Sequence, residues 1–498
     1  MNDDPLVHDL MAPGNLPGGP AEFISTHASF VFLTPRDVYK IKRAKNYGFF
    51  DYTTLEARKH FCEEEMRLNR RTAPDVYLGV RPVFRDARGR SMTRSGDIVD
   101  YAVHMRRLPD DRSALSLVRA GRLDADGIDL IARRVAEFYA GAAVSRAADS
   151  LERNIRENFD QVQPYIGRFV DPALFRETRE AQEAWLSKHR TRLAARGSRD
   201  GHGDLRLEHV YLLPDGVRII DCIEFAERFR IADPALDAAF FAMDLRANGR
   251  DDLAESFFAR FAYESDDYDF YPLADGYVSY RAWVRGKVAC FVASERPAGD
   301  RKSLEARRFF ELAREAMRPR SAKRRLVAVG GIVGTGKTTV AGAIGRALSA
   351  PVTVADATRK HLAGLPHDAR GPDRIYTREF TTRVQEEMFR RAGEIFEGGR
   401  SAILDTTFAA RELRERARRF AADHGATFHF VECRAPEAVA RERLRSRQGG
   451  VSDAREDLYP VLAASFEPVT ELPAREHISV DTTKPIPAIL EYITERLR

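Results

Sequence analysis

Residues 331 to 338 read GIVGTGKT and match the spacing G-x-x-x-x-G-K-[ST], in which each position has a use in holding a polyphosphate. Gly331, Gly334 and Gly336, with Ile332, Val333 and Thr335 between them, let backbone N–H groups approach an anion. Lys337 reaches the β and γ phosphates, and Thr338, followed by Thr339, offers a hydroxyl to Mg2+. The flanks suit that chemistry: LVAVG before the loop is an apolar strand pattern and TVAGAIGRALS after it is helical. Two aspartates follow at the ends of apolar segments, Asp356 in PVTVADATRK and Asp405 in SAILDTTF, where ligands gather in open α/β sheets. Asp356 is a candidate general base or substrate-orienting carboxylate, and Asp405 a candidate magnesium-side carboxylate or base. After the strand pattern FHFVEC, the helical run RERLRSR supplies Arg441, Arg443, Arg445 and Arg447, positive charge for a phosphoryl group in transfer, with Arg447 assigned to the nucleotide.

A second constellation lies in the first half of the chain. His202, Gly203, Asp204 and His209 in GHGDLRLEHVYLL are followed by Asp221 and Glu224 in IIDCIEF, a loop and two short strands by pattern. Phosphoryl transfer to a hydroxyl needs a carboxylate to take the proton, a side chain near Mg2+ and an aspartate between metal and phosphates. Asp204, His209 and Asp221 fill those roles in that order. Asp233 and Asp237 in RIADPALDAAF read as helix-start and loop-bracing residues, because Asp-Pro before an apolar helical pattern is a start signal.

The elements that must position these residues fall into two sets. The segments FISTHASFVFL and DVYKIKR alternate as strands, a helical stretch covers Leu55 to Arg71, and short strands return near Val80 and Tyr101, which suggests a small mixed sheet with one helix. Helical spacing then dominates from Leu115 to about Ala195 and again to about Arg318. The charged, Pro-interrupted stretch before LVAVGG marks a boundary. The resulting division is a tail over 1–22, a first domain over 23–318, a linker over 319–325 and a phosphate-loop domain over 326–498. The fold class is multidomain, α+β followed by α/β with a parallel sheet flanked by helices.

Composition narrows the functional classes. In 498 residues, 80 basic and 75 acidic side chains leave a net charge of +5, dispersed along the chain, so nucleic-acid binding is not implied. The arginine-rich stretch Arg411 to Arg419 reads as a solvated helix face. The amino terminus is acidic and broken by Pro and Gly, unlike a signal peptide, and no apolar run reaches membrane-spanning length, so the expectation is a cytoplasmic protein with no membrane partner. Cys62, Cys222, Cys290 and Cys433 are scattered without a CxxC pair and read as packing residues.

The carboxy-terminal motifs, GGIVGTGKTTVA, Asp356 with Arg359, LDTTF and the arginine-rich helix, resemble small P-loop kinases of the zeta-toxin, gluconate-kinase, chloramphenicol-phosphotransferase and polynucleotide-kinase group. That resemblance implies Asp356 as the base facing an acceptor hydroxyl and Arg359 as an acceptor or phosphate contact. HGDLRLEH with IIDCIEF resembles the HGDxxxxN…D signature of aminoglycoside phosphotransferases, over roughly Phe23 to Met317. This second resemblance implies a protein-kinase-like bilobal domain, Asp204 as catalytic base, and a loop-holding role for His202. It also asks for a strand lysine on the phosphates and a helix glutamate paired with it. Lys40 and Lys42 in VYKIKR share one strand face, Lys42 is favoured, and Glu65 or its neighbour Glu64 is the partner. The departure is His209, where that family usually has asparagine; it sets Mn2+ beside Mg2+ as the expected metal. The combination resembles bacterial fusions of an aminoglycoside-phosphotransferase-like domain with a small P-loop kinase.

The expectation is an ATP-dependent phosphotransferase, with GTP the alternative nucleotide, acting at two sites on small-molecule hydroxyls. Its competitors are a P-loop kinase regulated by an amino-terminal pseudokinase or sensor, a nucleotide-hydrolysing switch with a protein partner, and a metal-dependent phosphoesterase on His202, Asp204, His209 and Asp221.

Overall fold

The computed structural model describes residues 4–26, 28–46, 48, 51–145, 150–294, 300–367, 369–446 and 456–497. Contacts divide the chain into two units, Met1–Gly249 with Tyr277–Glu315, and Arg250–Gly276 with Ala316–Arg498. Among the described residues no helix is long and apolar enough to cross a membrane. The four cysteines are free and buried.

The first unit opens with helix α1 (Pro5–Met11), started by Asp4, whose side chain accepts from Leu6 N at 2.9 Å. Six strands follow: β1 (Glu22–Ser25), β2 (Ser29–Leu33), β3 (Asp37–Lys42), β4 (Tyr77–Asp86), β5 (Gly89–Ser91) and β6 (Asp97–Arg106). They form one antiparallel sheet in the order β1-β2-β3-β6-β4-β5. Alternation in VYKIK decides the two faces of β3. Tyr39 and Ile41 join Phe30, Phe32 and the α1 residues Leu6, Val7 and Leu10 in one apolar cluster, so the segment before residue 23 is part of this core. Val38 belongs to the cluster on the other face, with Cys62 of helix α2 (Leu55–Asn69), and Lys40 and Lys42 share that face.

The rest of this unit is mainly helical: α3 (Ala125–Gly141), α4 (Leu151–Val162), α5 (Pro172–Ala195), α6 (Pro234–Ala247), the greater part of α8 (Tyr271–Ser294), and α9 (Arg301–Ala316). Trp283 lies at the centre of an aromatic core, 4.4 Å from Phe159, 5.7 Å from Phe175 and 4.6 Å from Phe310 between ring centroids. A short hairpin of β7 (Val210–Leu213) and β8 (Gly216–Ile219) carries the HGD loop on one side and Asp221 on the other. The unit is therefore a sheet lobe and a helical lobe.

The second unit contains a five-stranded, wholly parallel sheet of β9 (Arg325–Gly330), β10 (Val352–Val354), β11 (Ala402–Asp405), β12 (Thr427–Arg434) and β13 (His477–Asp481), in the order β10-β11-β9-β12-β13. Its strands are near-continuous apolar runs, as in parallel sheets covered by helices: on one face Val327, Ile403 and Val431 pack with Val340 and Ile344 of α10 (Lys337–Leu348) and with Ile489 and Ile493 of α15 (Ile486–Arg496). The remaining helices used below are α11 (Ala355–Leu362), α12 (Arg378–Glu397), α13 (Arg411–Asp423) and α14 (Glu437–Ser446).

Helix α7 (Asp251–Ser265) and the turn after it also belong to this unit, although the sequence pattern groups them with the helices before the linker. Charge pairing holds them there. Arg391 of α12 donates to both Asp266 oxygens at 2.8 and 2.7 Å, Arg400 donates to Glu255 at 2.7 Å and Asp275 at 3.0 Å, and Tyr268 donates to Val352 O at 3.1 Å. Arg391 and Arg400 are buried, so each guanidinium depends on its carboxylates.

Candidate active sites

In the first unit the helix glutamate that meets the strand lysines is Glu65, while Glu64 pairs with Arg67 at 2.8 Å on the outer face of α2. Glu65 Oε1 accepts from Lys40 Nζ at 2.9 Å and Oε2 from Lys42 Nζ at 2.8 Å. The second partners separate the lysines. Lys40 reaches Asp221 Oδ1 at 2.5 Å. Lys42 donates to Glu224, which also accepts from Tyr52 OH at 2.9 Å. The Lys42 side chain is 1% exposed against 15% for Lys40, so Lys42 is locked inside and Lys40 is the less enclosed of the two. Both ammonium groups are buried, which opposes their charge, yet the surrounding carboxylates raise both well above the ordinary lysine value.

Asp221 has φ of 64°, a left-handed conformation uncommon for a residue with a side chain and typical of functional positions. Its backbone N–H is held by Tyr77 OH at 3.1 Å. Burial disfavours its carboxylate, but Lys40 and then His209 outweigh this and hold the pKa well below the usual range. His209 lies on the other side of the carboxylate, Nε2 being 3.4 Å from Asp221 Oδ2.

The HGD loop is held from beneath by α6. Asp237 Oδ2 accepts from His202 N at 2.9 Å and Gly203 N at 2.8 Å, Asp244 Oδ2 accepts from Leu207 N at 2.9 Å, and Arg281 of α8 donates to Asp237 Oδ1 at 2.9 Å. Asp233 caps α6 through Ala235 N at 3.0 Å. Gly203, at φ of 83°, has the carbonyl of Phe229 only 2.9 Å from where a Cβ would stand, so the loop requires glycine there. Both oxygens of Asp204 accept from Arg206 Nε, at 2.9 and 3.0 Å. Burial works against its ionisation; Arg206, His209 and Arg285 prevail and leave its pKa at about 2.

In the second unit the phosphate loop joins β9 to α10. Gly331, Gly334 and Gly336 have φ of 137°, 80° and 80°, and a Cβ would meet Cys433 O at 2.4 Å at Gly331 and Ala440 O at 2.5 Å at Gly334. The first turn of α10 has no side-chain cap, which leaves its N–H groups for an anion. Lys337 Nζ donates to Ile332 O at 3.0 Å across the loop. Ile332 and Val333 pack their side chains against Ala440, Leu444 and Tyr459, so only their backbones face the phosphate position. Thr335 closes the loop onto Ile332 O at 2.7 Å, and Thr338 and Thr339 are exposed.

Asp405, at the end of β11, is 3% exposed and hydrogen-bonded to Thr338, and its Oδ2 is buried without a partner. Burial raises its pKa to about 6, with the charge of Asp356 adding and Thr338 and Lys337 opposing. An unpaired, buried carboxylate oxygen beside a threonine hydroxyl fits Mg2+ held through Thr338 and Asp405. Asp356 stands at the start of α11, 3.8 Å from Arg359 Nε. Arg359 is buried over the Tyr376 ring at 5.0 Å and donates to Ile375 O at 2.6 Å.

The arginine-rich helix α14 is resolved by its pairings. Arg441 and Arg445 face Glu437, Glu442 and Glu456. Arg443 turns to the loop: it donates to Thr482 Oγ1 at 3.0 Å and Thr482 O at 2.8 Å, with Nη1 3.5 Å from where a Cβ on Gly336 would stand. Arg447 lies outside the described residues, as does His27 of the segment STHASF. Sequence reasoning did not single out Arg206, Arg285 or Tyr52. Only the position of Arg206, two residues after Asp204, was a local signal.

Residues 326–468 match the AAA domain family. Over 454 residues, 88% of this chain and 89% of the other, the sequence is 32% identical to uncharacterized protein Rv2004c of Mycobacterium tuberculosis. The chain belongs to the family of this mycobacterial protein. Among solved structures, the chain is similar to a choline/ethanolamine kinase family protein of Mesorhizobium loti, with a TM-score of 0.41 and 14% identity over 62% of this chain and 97% of the other. It is also similar to a putative kinase of Chloroflexus aurantiacus, with a TM-score of 0.30 and 24% identity over 36% of this chain and 98% of the other.

Proposed function

We propose that the protein is a phosphotransferase with two nucleotide sites, each transferring the γ-phosphoryl group of ATP to a hydroxyl of a small-molecule acceptor. The observation that carries this reading is Asp405 Oδ2, buried and unpartnered beside Thr338 and the phosphate loop, with Asp356 close enough for its charge to be felt. A phosphate lysine, a metal-side carboxylate and a second carboxylate for the acceptor proton then lie in one cluster.

In the second unit, loop N–H groups and Lys337 hold the phosphates and Asp356 takes the proton of the attacking hydroxyl. Arg359 orients Asp356 or the acceptor, and Arg443 lies against the nucleotide side of the loop. Mg2+, when bound, neutralises charge on the β and γ phosphates. In the first unit Lys40 is the phosphate lysine, because it is the less enclosed of the pair and touches Asp221, while Lys42, Glu65, Glu224 and Tyr52 fix the strand and helix around it. Asp204 accepts the hydroxyl proton there once Arg206, whose charge and hydrogen bond hold its pKa down, turns away from it. Catalysis in both sites is positioning and electrostatic stabilisation.

The competing reading, an amino-terminal ligand sensor governing the P-loop site, draws on the pairing of Asp204 with Arg206 and of Asp221 with Lys40, which leaves both carboxylates engaged. Labelled-phosphate transfer from ATP into a metabolite extract separates the two. With Lys337→Ala, Asp204→Asn and the double variant, the two-site reading expects each single change to remove a different phosphorylated product. If Asp204→Asn leaves all products unchanged and Lys337→Ala removes all of them, the sensor reading stands instead.

A further inference from the structure

We infer that His209 makes the amino-terminal site selective for a first-row transition-metal cation over Mg2+, with His209 Nε2 and the Asp221 carboxylate as its protein ligands. The inference rests on reading this unit as a metal–nucleotide site and deepens that reading by naming the class of cation. His209 is 6% exposed. Its Nδ1 lies 2.9 Å from Asp204 O, and a carbonyl oxygen can only accept. The ring proton is therefore on Nδ1, and Nε2 carries the lone pair. Backbone carbonyls fix metal-binding imidazoles in this way, setting both tautomer and ring orientation.

The lone pair points at the right neighbour. Nε2 and Asp221 Oδ2 are 3.4 Å apart. Two ligand atoms about 2.1 Å from a shared ion stand about 3.0 Å apart at a right angle and about 3.4 Å apart at the tetrahedral angle. Positive groups already occupy the approaches: Arg206 Nη2 is 3.2 Å from His209 Nε2, and Lys40 Nζ is 2.5 Å from Asp221 Oδ1. Each of the two ligands thus already has a cationic atom beside it. When the ion enters, Arg206 leaves Nε2 and keeps Glu208 as its partner. Among the described residues no three His, Cys, Asp or Glu side chains come together as a metal cluster, so phosphate oxygens and water complete the coordination and the cation arrives with the nucleotide.

Cation choice follows from the donor atoms. Mg2+ prefers oxygen and gives up its water reluctantly, whereas imidazole nitrogen favours the transition metals, with affinity rising from Mn2+ toward Cu2+. Asparagine at this position would offer an oxygen and remove the preference.

The probe is Mn2+, the weakest of that series, whose electron spin reports directly bound 14N. Full-length Lys337→Ala, in which the P-loop site is disabled, is loaded with Mn2+ and a non-hydrolysable ATP analogue and examined by pulsed EPR, with and without the added change His209→Asn. The expected result is 14N modulation from one imidazole that disappears in His209→Asn, together with Mg2+ displacing Mn2+ about tenfold more effectively in that variant. Bound Mn2+ without 14N modulation, or Mg2+ competition unaltered by His209→Asn, overturns the inference and leaves the metal–nucleotide reading standing. Failure of Lys337→Ala to bind any Mn2+–nucleotide overturns both.

Discussion

Glu65 holds Lys40 and Lys42 through its two oxygens, and its side chain is fully buried. Glu65→Gln would leave two buried ammonium groups short of a counter-charge. It should lower the stability of the first unit by about 3–5 kcal/mol in urea unfolding, whereas Lys40→Ala should cost less stability and mainly nucleotide affinity at that site. Equal effects of the two changes would contradict the division of labour drawn between the lysines. A pH test bears on His202, which burial holds down to about 4. In the unfolded chain it titrates near 6.5, so as pH falls from 6.5 toward 4 the unfolded state takes up a proton that the folded state refuses. Its contribution is complete above pH 6.5, and about 2 kcal/mol of stability should be gone at pH 5. His202→Gln should flatten that slope, and an unchanged slope would place the effect elsewhere. At this scale the sequence made Asp204, Asp221, Lys337 and Asp405 legible, because local motifs carry them. The engagement of Asp204 by Arg206, the enclosure of Lys42 by Glu224 and the turning of Arg443 toward Gly336 depend on which way a side chain faces, and neighbouring arginines of α14 do not differ in that respect by spacing alone.

Elements show the same division. The phosphate loop and its flanking strand and helix follow from composition and periodicity, and at Gly334 the backbone conformation and the approach of Ala440 O both exclude a side chain. Gly334→Ala should therefore abolish nucleotide binding at that site, measured by calorimetry, while Gly342→Ala on the exposed side of α10, where a Cβ meets nothing within 4 Å, should leave it intact. Helix α7 was not legible as part of the second unit. Glu255 on it and Asp266 just after it find their partners Arg400 and Arg391 more than a hundred residues away in sequence. Arg414 teaches the same lesson within the run Arg411 to Arg419: it is fully buried against Glu471 at 2.5 Å, not on a wet surface. Asp266→Asn should destabilise the second unit by about 3–5 kcal/mol, since it removes a counter-charge from buried Arg391. Scanning calorimetry should show that transition move down while the transition of the first unit stays in place; an unmoved second transition would mean the pairing contributes little.

For the whole molecule, the fold class of both units was legible, since a parallel sheet writes itself as apolar runs between helices and an antiparallel sheet as alternation. The path of the chain was not, because the assignment of Arg250–Gly276 to the second unit arises from long-range ion pairs. The central claim is that one polypeptide carries two independent nucleotide sites, and binding stoichiometry tests it most directly. Titration with a non-hydrolysable ATP analogue, with Mg2+ and Mn2+ both present, should saturate at two equivalents per chain in the wild type. It should fall to one in Lys337→Ala, to one in Asp221→Asn and to none in the double variant. One equivalent in the wild type, lost entirely in Lys337→Ala and untouched in Asp221→Asn, would contradict it.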